Sequence, residues 1–377
     1  MDFAFTDEQQ MLQDSVQKFV QRNYNFETRK AIVASAKGYS DDNWKLFAEL
    51  GWLTVPFKEE DGGFGGSAID LMVVMEEFGR GMVVEPFVPT AVLAGSLIAT
   101  LGSKAQKQDL VNRVMKGELQ LACAISETVS RYNLANVTTI AKKSADNFIL
   151  SGCKINVLNG VNADLLLVVA RESGTSTDQE GISIFLVDPG LAGVSRQGYQ
   201  NVDGQTAANI EFDGVSVAAA DRLGSAGQAH AALEAAVDLA TLAICSEAVG
   251  ALDCLLGKTV EYSKTRKQFG VPIGSFQALQ HRMADMFIEC QLARSIVLMA
   301  AMKLDSSASA IDKAKTVSAA KSRVGRAIKK VGQEAVQIHG GIGMTDELDV
   351  AHFFKRITAI ELQFGNSDFH TSRFISL

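Results

Sequence analysis

Two short stretches in the last third of the chain decide its fold: Arg266-Lys-Gln-Phe-Gly270 and Gln337-Ile-His-Gly-Gly-Ile-Gly-Met-Thr345. The first ends in glycine, the second contains the run Gly340-Gly-Ile-Gly343, and long runs of helical periodicity separate the two. An arginine guanidinium binds a diphosphate through two charge-assisted hydrogen bonds, and glycines let backbone N–H groups come close to an anion. The two stretches therefore have the residue types that suit a diphosphate-containing ligand.

Helical patterns flank a central region with the alternation of β-strands. The chain opens with the capping box Thr6-Asp-Glu-Gln9, and further helical stretches follow at 42–50, 67–81, 88–101 and 103–116. Strand patterns occur at 147–151, 165–170, 182–187 and 208–212, and the polar loop 172–180 reads as an exposed hairpin tip. Long helical patterns return at 228–264, 276–304, 308–338 and 346–359.

This order predicts a mainly α protein with a β domain. The predicted parts are an N-terminal helical domain (1–118), a middle β-barrel or β-sandwich domain (119–226) and a C-terminal four-helix bundle (227–377). With 377 residues and 47% hydrophobic content, the chain is long enough to bury several cores.

Composition and charge exclude several classes of binding partner. The net charge of -7 provides no basic field, so neither nucleic acid nor an anionic membrane is an expected partner. The N-terminus is acidic where a signal peptide would be basic, and we expect no apolar run of membrane-spanning length. The five cysteines are scattered without a CxxC pair, which favours a reducing cytoplasm. The five histidines lack metal-ligand spacing, so no metal site is predicted.

The order and spacing of the two glycine-containing stretches resemble the acyl-CoA dehydrogenase family. The continuation Val271-Pro-Ile-Gly-Ser-Phe-Gln-Ala-Leu-Gln280 extends the resemblance, and the helical–β–helical order extends it over essentially the whole chain. In this family an arginine and a Gln-Gly-Gly backbone hold the pyrophosphate and adenosine half of FAD across a subunit interface. The resemblance therefore implies FAD as cofactor, with these residues as its contacts: Arg266, Gln268, Phe269, Gln337, Gly340 and Gly341.

The resemblance also implies a reaction. An acyl-CoA thioester loses an α-proton to a carboxylate while a hydride leaves its β-carbon for the flavin, which gives the trans-2-enoyl-CoA. Most members carry this base in a Tyr-Glu-Gly turn, but the matching stretch Glu361-Leu-Gln-Phe-Gly-Asn-Ser-Asp368 places Phe364 at that position. A minority carry the base on the first long helix of the C-terminal domain, where this chain has Ala240.

The middle region departs from the family as well. Where members have Thr-Glu-Pro-Gly-Ala-Gly-Ser-Asp and then Trp-Ile-Thr-Asn, this chain has Ser126-Glu-Thr-Val-Ser-Arg-Tyr-Asn133 and Asn156-Val-Leu-Asn159. The glycines, the tryptophan over the isoalloxazine and the threonine facing N5 are replaced. The residues expected to hold the adenine half of FAD are therefore present, whereas those expected around the isoalloxazine are replaced.

Three interpretations follow. In the first, the chain is catalytic with a relocated base, for which Asp368, Asp238 and Glu247 are candidates. In the second, it is a non-catalytic partner that lends Arg266 and Gln337 to FAD in a related chain, as in the pimeloyl-CoA dehydrogenase small subunits and paired steroid-side-chain dehydrogenases that it resembles. In the third, the fold serves a flavin oxidase or monooxygenase, or a flavin-free scaffold. The family's usual assembly implies a homo- or hetero-oligomer, a dimer of dimers.

Overall fold

The computed structural model describes residues 5–377, which divide into two compact units. The bundle unit contains the described residues up to Ala31, together with Ser67–Val83 and Thr241–Leu377. The sheet unit contains Ile32–Gly66 and Val84–Ala240. The three predicted domain boundaries stay a prediction.

Helices account for most of the described chain. They are α1 (Asp7–Asn23), α2 (Phe26–Val33), α3 (Asp41–Glu49), α4 (Ala68–Gly81), α5 (Ser96–Leu101), α6 (Lys104–Gln106), α7 (Asn112–Met115), α8 (His230–Thr265), α9 (Gln277–Asp305), α10 (Ala310–His339), α11 (Asp349–Leu362) and α12 (Ser367–Ser376). A π-helical stretch, Val88–Gly95, leads into α5, and a second one, Lys107–Val111, lies between α6 and α7. The prediction of a mainly α fold with a β domain in its middle is confirmed.

Local capping residues explain where several helices begin. The Thr6 hydroxyl accepts a hydrogen bond from the Gln9 N–H at 3.2 Å, and the Gln9 side chain accepts one from the Thr6 N–H at 3.1 Å. This confirms the predicted capping box. Ser67 and Asp70 form the same box at the start of α4. Each box satisfies N–H groups that have no partner within the helix.

Four long helices form the C-terminal part of the bundle unit, as predicted. α10 packs against α9, α11 and α12, and its buried stripe includes Val317, Val324 and Val331. The spacing of seven residues between these valines is the two-turn repeat of a helix that faces a core. The sequence patterns did not predict α12, which is short and begins with Asn366 as its capping residue.

Helix α8 corrects one prediction from the sequence. It is 36 residues long, and its most apolar 18-residue window has a mean hydropathy of 1.7, so it is long and apolar enough to cross a membrane. The prediction that the chain lacks such a run was wrong. Of that window, 78% is buried inside the structure, as expected of a core helix.

The sheet unit contains an eight-stranded sheet with the order β6-β7-β3-β2-β4-β5-β8, and β1 pairs with β4. The strands are β1 (Leu121–Ala124), β2 (Ile140–Ser144), β3 (Asn147–Leu158), β4 (Leu165–Arg171), β5 (Ile182–Val187), β6 (Val194–Gln200), β7 (Thr206–Ala218) and β8 (Arg222–Leu223). Phe148, Phe185 and Phe212 belong to its buried core. The four predicted strand stretches fall within β3, β4, β5 and β7, and the predicted loop 172–180 is an exposed β4–β5 connection.

Candidate cofactor and base sites

The Arg266 stretch forms a tight hairpin directly after α8. Its strands are β9 (Lys267–Gln268) and β10 (Val271–Pro272), and its two turn residues have left-handed backbone angles, with φ of 55° at Phe269 and 81° at Gly270. A two-residue hairpin requires such angles. The Arg266 N–H donates to the Tyr262 carbonyl at 2.8 Å, and the Ile273 N–H donates to the Arg266 carbonyl at 2.8 Å. The backbone of Arg266 is therefore fixed on both sides.

The side chains that the hairpin presents point to a binding role. Arg266 and Gln268 are exposed, and Phe269 is 91% exposed. The Phe276 ring meets the Phe269 ring edge-on, with centroids 6.1 Å apart. A cation and an aromatic ring on a fixed backbone are thus available to a ligand that carries a diphosphate and a planar group.

The glycine stretch forms the end of α10 and leaves its backbone open. Gly340 has φ 67° and ψ -146°, a conformation that glycine alone adopts readily. A Cβ placed on Gly340 or Gly341 would meet no atom within 4 Å. Gln337, one turn earlier, is exposed. A ligand can therefore come close to this backbone, which fits the diphosphate and adenosine half of FAD.

Tyr262 and His339 join the two stretches within the bundle unit. The Tyr262 hydroxyl donates to the His339 carbonyl at 3.3 Å, and the two rings stack with centroids 4.4 Å apart and planes 28° apart. His339 Nδ1 lies 2.8 Å from the Ala335 carbonyl, so this nitrogen carries a proton. Burial lowers the pKa of His339, because desolvation disfavours the charged ring. Sequence reasoning assigned no role to either residue, although His339 lies within the second stretch and Tyr262 lies four residues before Arg266.

The turn at the usual base position is held by buried donors. It follows α11, and both Phe364 and Gly365 have positive φ, at 55° and 115°. The ammonium of Lys321, fully buried, donates to the carbonyls of Glu361 at 2.9 Å and Gly365 at 2.6 Å. His370 Nε2 donates to the Phe364 carbonyl at 3.0 Å. A non-glycine residue in this backbone region costs energy, and these contacts offset that cost.

Further contacts make the same turn rigid. The Glu361 carboxylate accepts hydrogen bonds from the Ser367 N–H at 3.1 Å and the Ser367 hydroxyl at 2.8 Å. A Cβ on Gly325 would lie 2.0 Å from Glu361 Oε2 and 2.1 Å from Ser367 Oγ, so a side chain there would displace this hydrogen-bonded pair. Burial, and then the nearby Lys321, lower the pKa of His370 to about 3. His370 is therefore neutral at physiological pH. Phe364, the central residue of the turn, has an aromatic side chain that cannot accept a proton.

The candidate carboxylates lie in different environments. Asp238 on α8 is 6% exposed, and Ala240, at the alternative base position, is fully buried. Asp368 is exposed in the first turn of α12. Both oxygens of the buried Glu247 accept hydrogen bonds from Arg356, at 2.5 and 2.6 Å. Of these carboxylates, Asp238 and Glu247 are buried, whereas Asp368 is exposed.

In the sheet unit, the stretch 126–133, which the resemblance aligns with a flavin-facing loop, is anchored by buried side chains. The Glu127 carboxylate accepts hydrogen bonds from the buried Lys154 at 2.7 Å and from the Thr138 and Thr139 N–H groups at 2.7 and 3.0 Å. Burial raises the pKa of Glu127, but the Lys154 ammonium outweighs it and lowers the pKa to about 2. Asn156, where the family has tryptophan, is exposed with φ 50°.

Comparison with known proteins covers nearly the whole chain. Models of the acyl-CoA dehydrogenase N-terminal, middle and C-terminal domains match residues 6–118, 122–215 and 229–375. A probable acyl-CoA dehydrogenase, YngJ, from Bacillus subtilis is 29% identical over 373 residues, which are 98% of this chain and 97% of that protein.

Solved structures agree with this result. Butyryl-CoA dehydrogenase from Megasphaera elsdenii has a TM-score of 0.90 and 26% identity, and the match covers 100% of this chain and 99% of that one. The ChsE4–ChsE5 complex from Mycobacterium tuberculosis also has a TM-score of 0.90, with 25% identity and coverage of 100% and 98%.

The fold, the open backbone at Gly340 and Gly341 and the exposed hairpin after Arg266 together define a flavin-dependent oxidoreductase. The chain belongs to the acyl-CoA dehydrogenase family. This confirms the predicted family, enzyme class and FAD cofactor. The contacts assigned to individual residues stay predictions. Among residues 5–377, no group of three His, Cys, Asp or Glu side chains could hold a metal ion.

Proposed function

We propose that this chain is one subunit of a mixed assembly that converts an acyl-CoA thioester to its trans-2-enoyl-CoA with FAD. In this assembly the chain contributes the adenine-side grip, through Arg266, Gln337 and the backbone of Gly340 and Gly341. A related chain contributes the catalytic carboxylate. One observation carries the proposal: the turn that would present the base is fully built, yet Phe364 occupies it.

The chemistry of the described carboxylates supports a base from another chain. Removing a proton next to a thioester carbonyl needs a carboxylate shielded from water, because desolvation makes it more basic. Asp368 is exposed, and both oxygens of Glu247 are held by Arg356. FAD, when bound, supplies the acceptor for the two electrons that leave the substrate. The chain's own task is then to bind and orient that cofactor.

Two features support association with another chain. The ChsE4–ChsE5 match is to a complex of two named proteins. In this chain, α9 also carries exposed apolar side chains at helical spacing: Phe287, Ile288, Leu292 and Met299. A dimer of dimers through this face is the assembly that we propose, and light scattering of the co-purified chains would measure it.

Co-expression tests the proposal. The chain would be purified alone and together with a family member from the same genome that has glutamate at the position matching Phe364. The chain alone should be poorly flavinylated and inactive, and the pair should be yellow and reduce a dye with acyl-CoA. Arg266→Gln in this chain should remove flavin from the pair. A lone, flavin-replete chain that reduces the dye would overturn the mixed-assembly proposal.

A catalytic chain with Asp238 as relocated base is the second candidate, because Asp238 is buried on α8. It predicts activity of the lone chain that Asp238→Asn abolishes, whereas Asp368→Asn, at an exposed site, leaves it intact. Oxygen consumption at the rate of turnover in the same assay would instead identify a flavin oxidase or monooxygenase.

A further inference from the structure

We propose that Tyr262 is a positioning residue for the cofactor site: it fixes the Arg266 hairpin relative to the Gly340 turn, so that both grip one diphosphate. This inference rests on the cofactor grip in the proposed function. It assigns a role to a residue that lies outside both motifs.

The first support is that Tyr262 contacts both sides of the site. Its backbone carbonyl accepts the Arg266 N–H at 2.8 Å, which fixes the residue that carries the guanidinium. Its side-chain hydroxyl donates to the carbonyl of His339 at 3.3 Å, and His339 directly precedes Gly340. One residue near the end of α8 therefore connects the two stretches, although 77 positions separate it from His339.

The second support is the position of the accepting carbonyl. His339 is the last residue of α10, and the last four carbonyls of a helix have no partner within it. The Gly340 N–H already closes the helix by donating to Val336. The Tyr262 hydroxyl therefore holds the final peptide before the left-handed glycine, which is where the direction of the Gly340 and Gly341 backbone is set.

The third support is the stacking of the two rings. Their centroids are 4.4 Å apart, and the His339 ring is itself fixed by its 2.8 Å contact with the Ala335 carbonyl. His339 is 5% exposed, so this contact is shielded from water. A stacked and hydrogen-bonded pair limits both sliding and rotation of one helix end against the other. A diphosphate gripped from two sides needs such a fixed separation, because preorganised groups lose less freedom on binding.

Tyr262→Phe tests the proposal, because it removes the hydroxyl and keeps the stacked ring. The apo-assembly would be titrated with FAD by fluorescence quenching and with ADP by calorimetry. We expect both affinities to fall about fivefold, the loss of one neutral hydrogen bond. ADP lacks the isoalloxazine, so an equal fall for both ligands places the effect on the diphosphate grip. The matched control is Tyr199→Phe, which removes a hydroxyl bonded to Asn209 in the sheet unit at 3.2 Å.

A purely structural role would give a different result. In that case the unfolding midpoint of the apo-protein would fall while the affinity of the folded fraction stayed at the wild-type value. The Tyr262→Phe and Arg266→Gln pair adds a second measurement: their effects on FAD affinity should be less than additive, because both act on the same grip. Additive effects, or wild-type affinity in Tyr262→Phe, would overturn the proposal.

The same titrations separate this inference from the proposed function. Wild-type protein that binds FAD and ADP but does not oxidise acyl-CoA would contradict the proposed reaction and leave the role of Tyr262 standing. A wild-type assembly that binds neither FAD nor ADP would overturn both the proposed function and the role of Tyr262.

Discussion

The ammonium nitrogen of Lys321 lies 2.6 Å from the carbonyl oxygen of Gly365, inside the turn that carries Phe364. The same nitrogen donates to Glu361 at 2.9 Å, so one buried side chain spans the start and the end of the turn. Burial lowers the pKa of Lys321, which shows that the protein tolerates a costly buried amine here. The turn is thus maintained by its own set of contacts, although its central residue cannot act as a base.

Replacing Lys321 should unfold this turn first. Lys321→Met keeps most of the side-chain volume but leaves two buried carbonyls without their donor, so we expect a loss of about 2–4 kcal/mol in the free energy of unfolding. Urea denaturation measures it. Lys329→Met is the matched control, because Lys329 is 57% exposed and lies 3.4 Å from Glu361. An equal loss in both variants would contradict the assignment.

The buried pair of Glu247 and Arg356 gives a second prediction. Arg356→Met leaves the Glu247 charge buried without the guanidinium that binds it. This should lower the free energy of unfolding by about 3–5 kcal/mol. The double variant Glu247→Leu with Arg356→Met removes both charges and should recover a large part of that loss. Chemical denaturation of the three proteins checks this. A double variant less stable than Arg356→Met would contradict it.

Glu77 gives a prediction about pH. It is 1% exposed, its Oε2 has no hydrogen-bond partner in the described chain, and burial raises its pKa despite the nearby Arg80. A raised folded-state pKa means that the group favours folding below its unfolded-state pKa and that this contribution is lost as the pH rises through the folded-state value.

Glu77→Gln should therefore gain stability over the wild type as the pH rises from acidic to neutral. Thermal unfolding of both proteins from pH 4 to pH 8 measures the difference. Glu60→Gln, on an exposed stretch, is the control and should show no such trend. A difference that shrinks with rising pH would mean that the ion pair with Arg80, at 3.3 Å, outweighs burial.

Alanine variants of Gly340 and Gly341 should distinguish an effect on stability from an effect on FAD binding. Gly340→Ala forces a side chain into a conformation that only glycine adopts readily, so it should cost about 1–3 kcal/mol and weaken FAD binding. Gly341→Ala has no positive φ to strain and meets no atom within 4 Å, so it should weaken FAD binding with stability unchanged. Denaturation and FAD titration of both variants test this. Normal FAD affinity in Gly341→Ala would place the ligand elsewhere.

Features set by neighbouring residues could be predicted from the sequence. The capping box of Thr6 and Gln9 and the glycine end of α10 each depend on a few consecutive residues. The two-residue hairpin of Phe269 and Gly270 was not predicted. The contacts that join distant segments could not be predicted from the sequence. Lys321 and Gly365, for example, are 44 positions apart, and helical periodicity does not show which helices pack together. The apolar run of α8, by contrast, is visible in the sequence itself, and the prediction that overlooked it was wrong.

The apolar character of α8 has a consequence for biosynthesis. The helix leaves the ribosome before α9, α10 and α11 are synthesised. Its most apolar 18-residue window therefore stays exposed until the later segments cover it. A chain that stops soon after Thr265 should therefore bind chaperones or aggregate. The C-terminal helices are therefore needed during synthesis as well as in the folded protein, because they enclose the apolar surface of α8 in a protein interior.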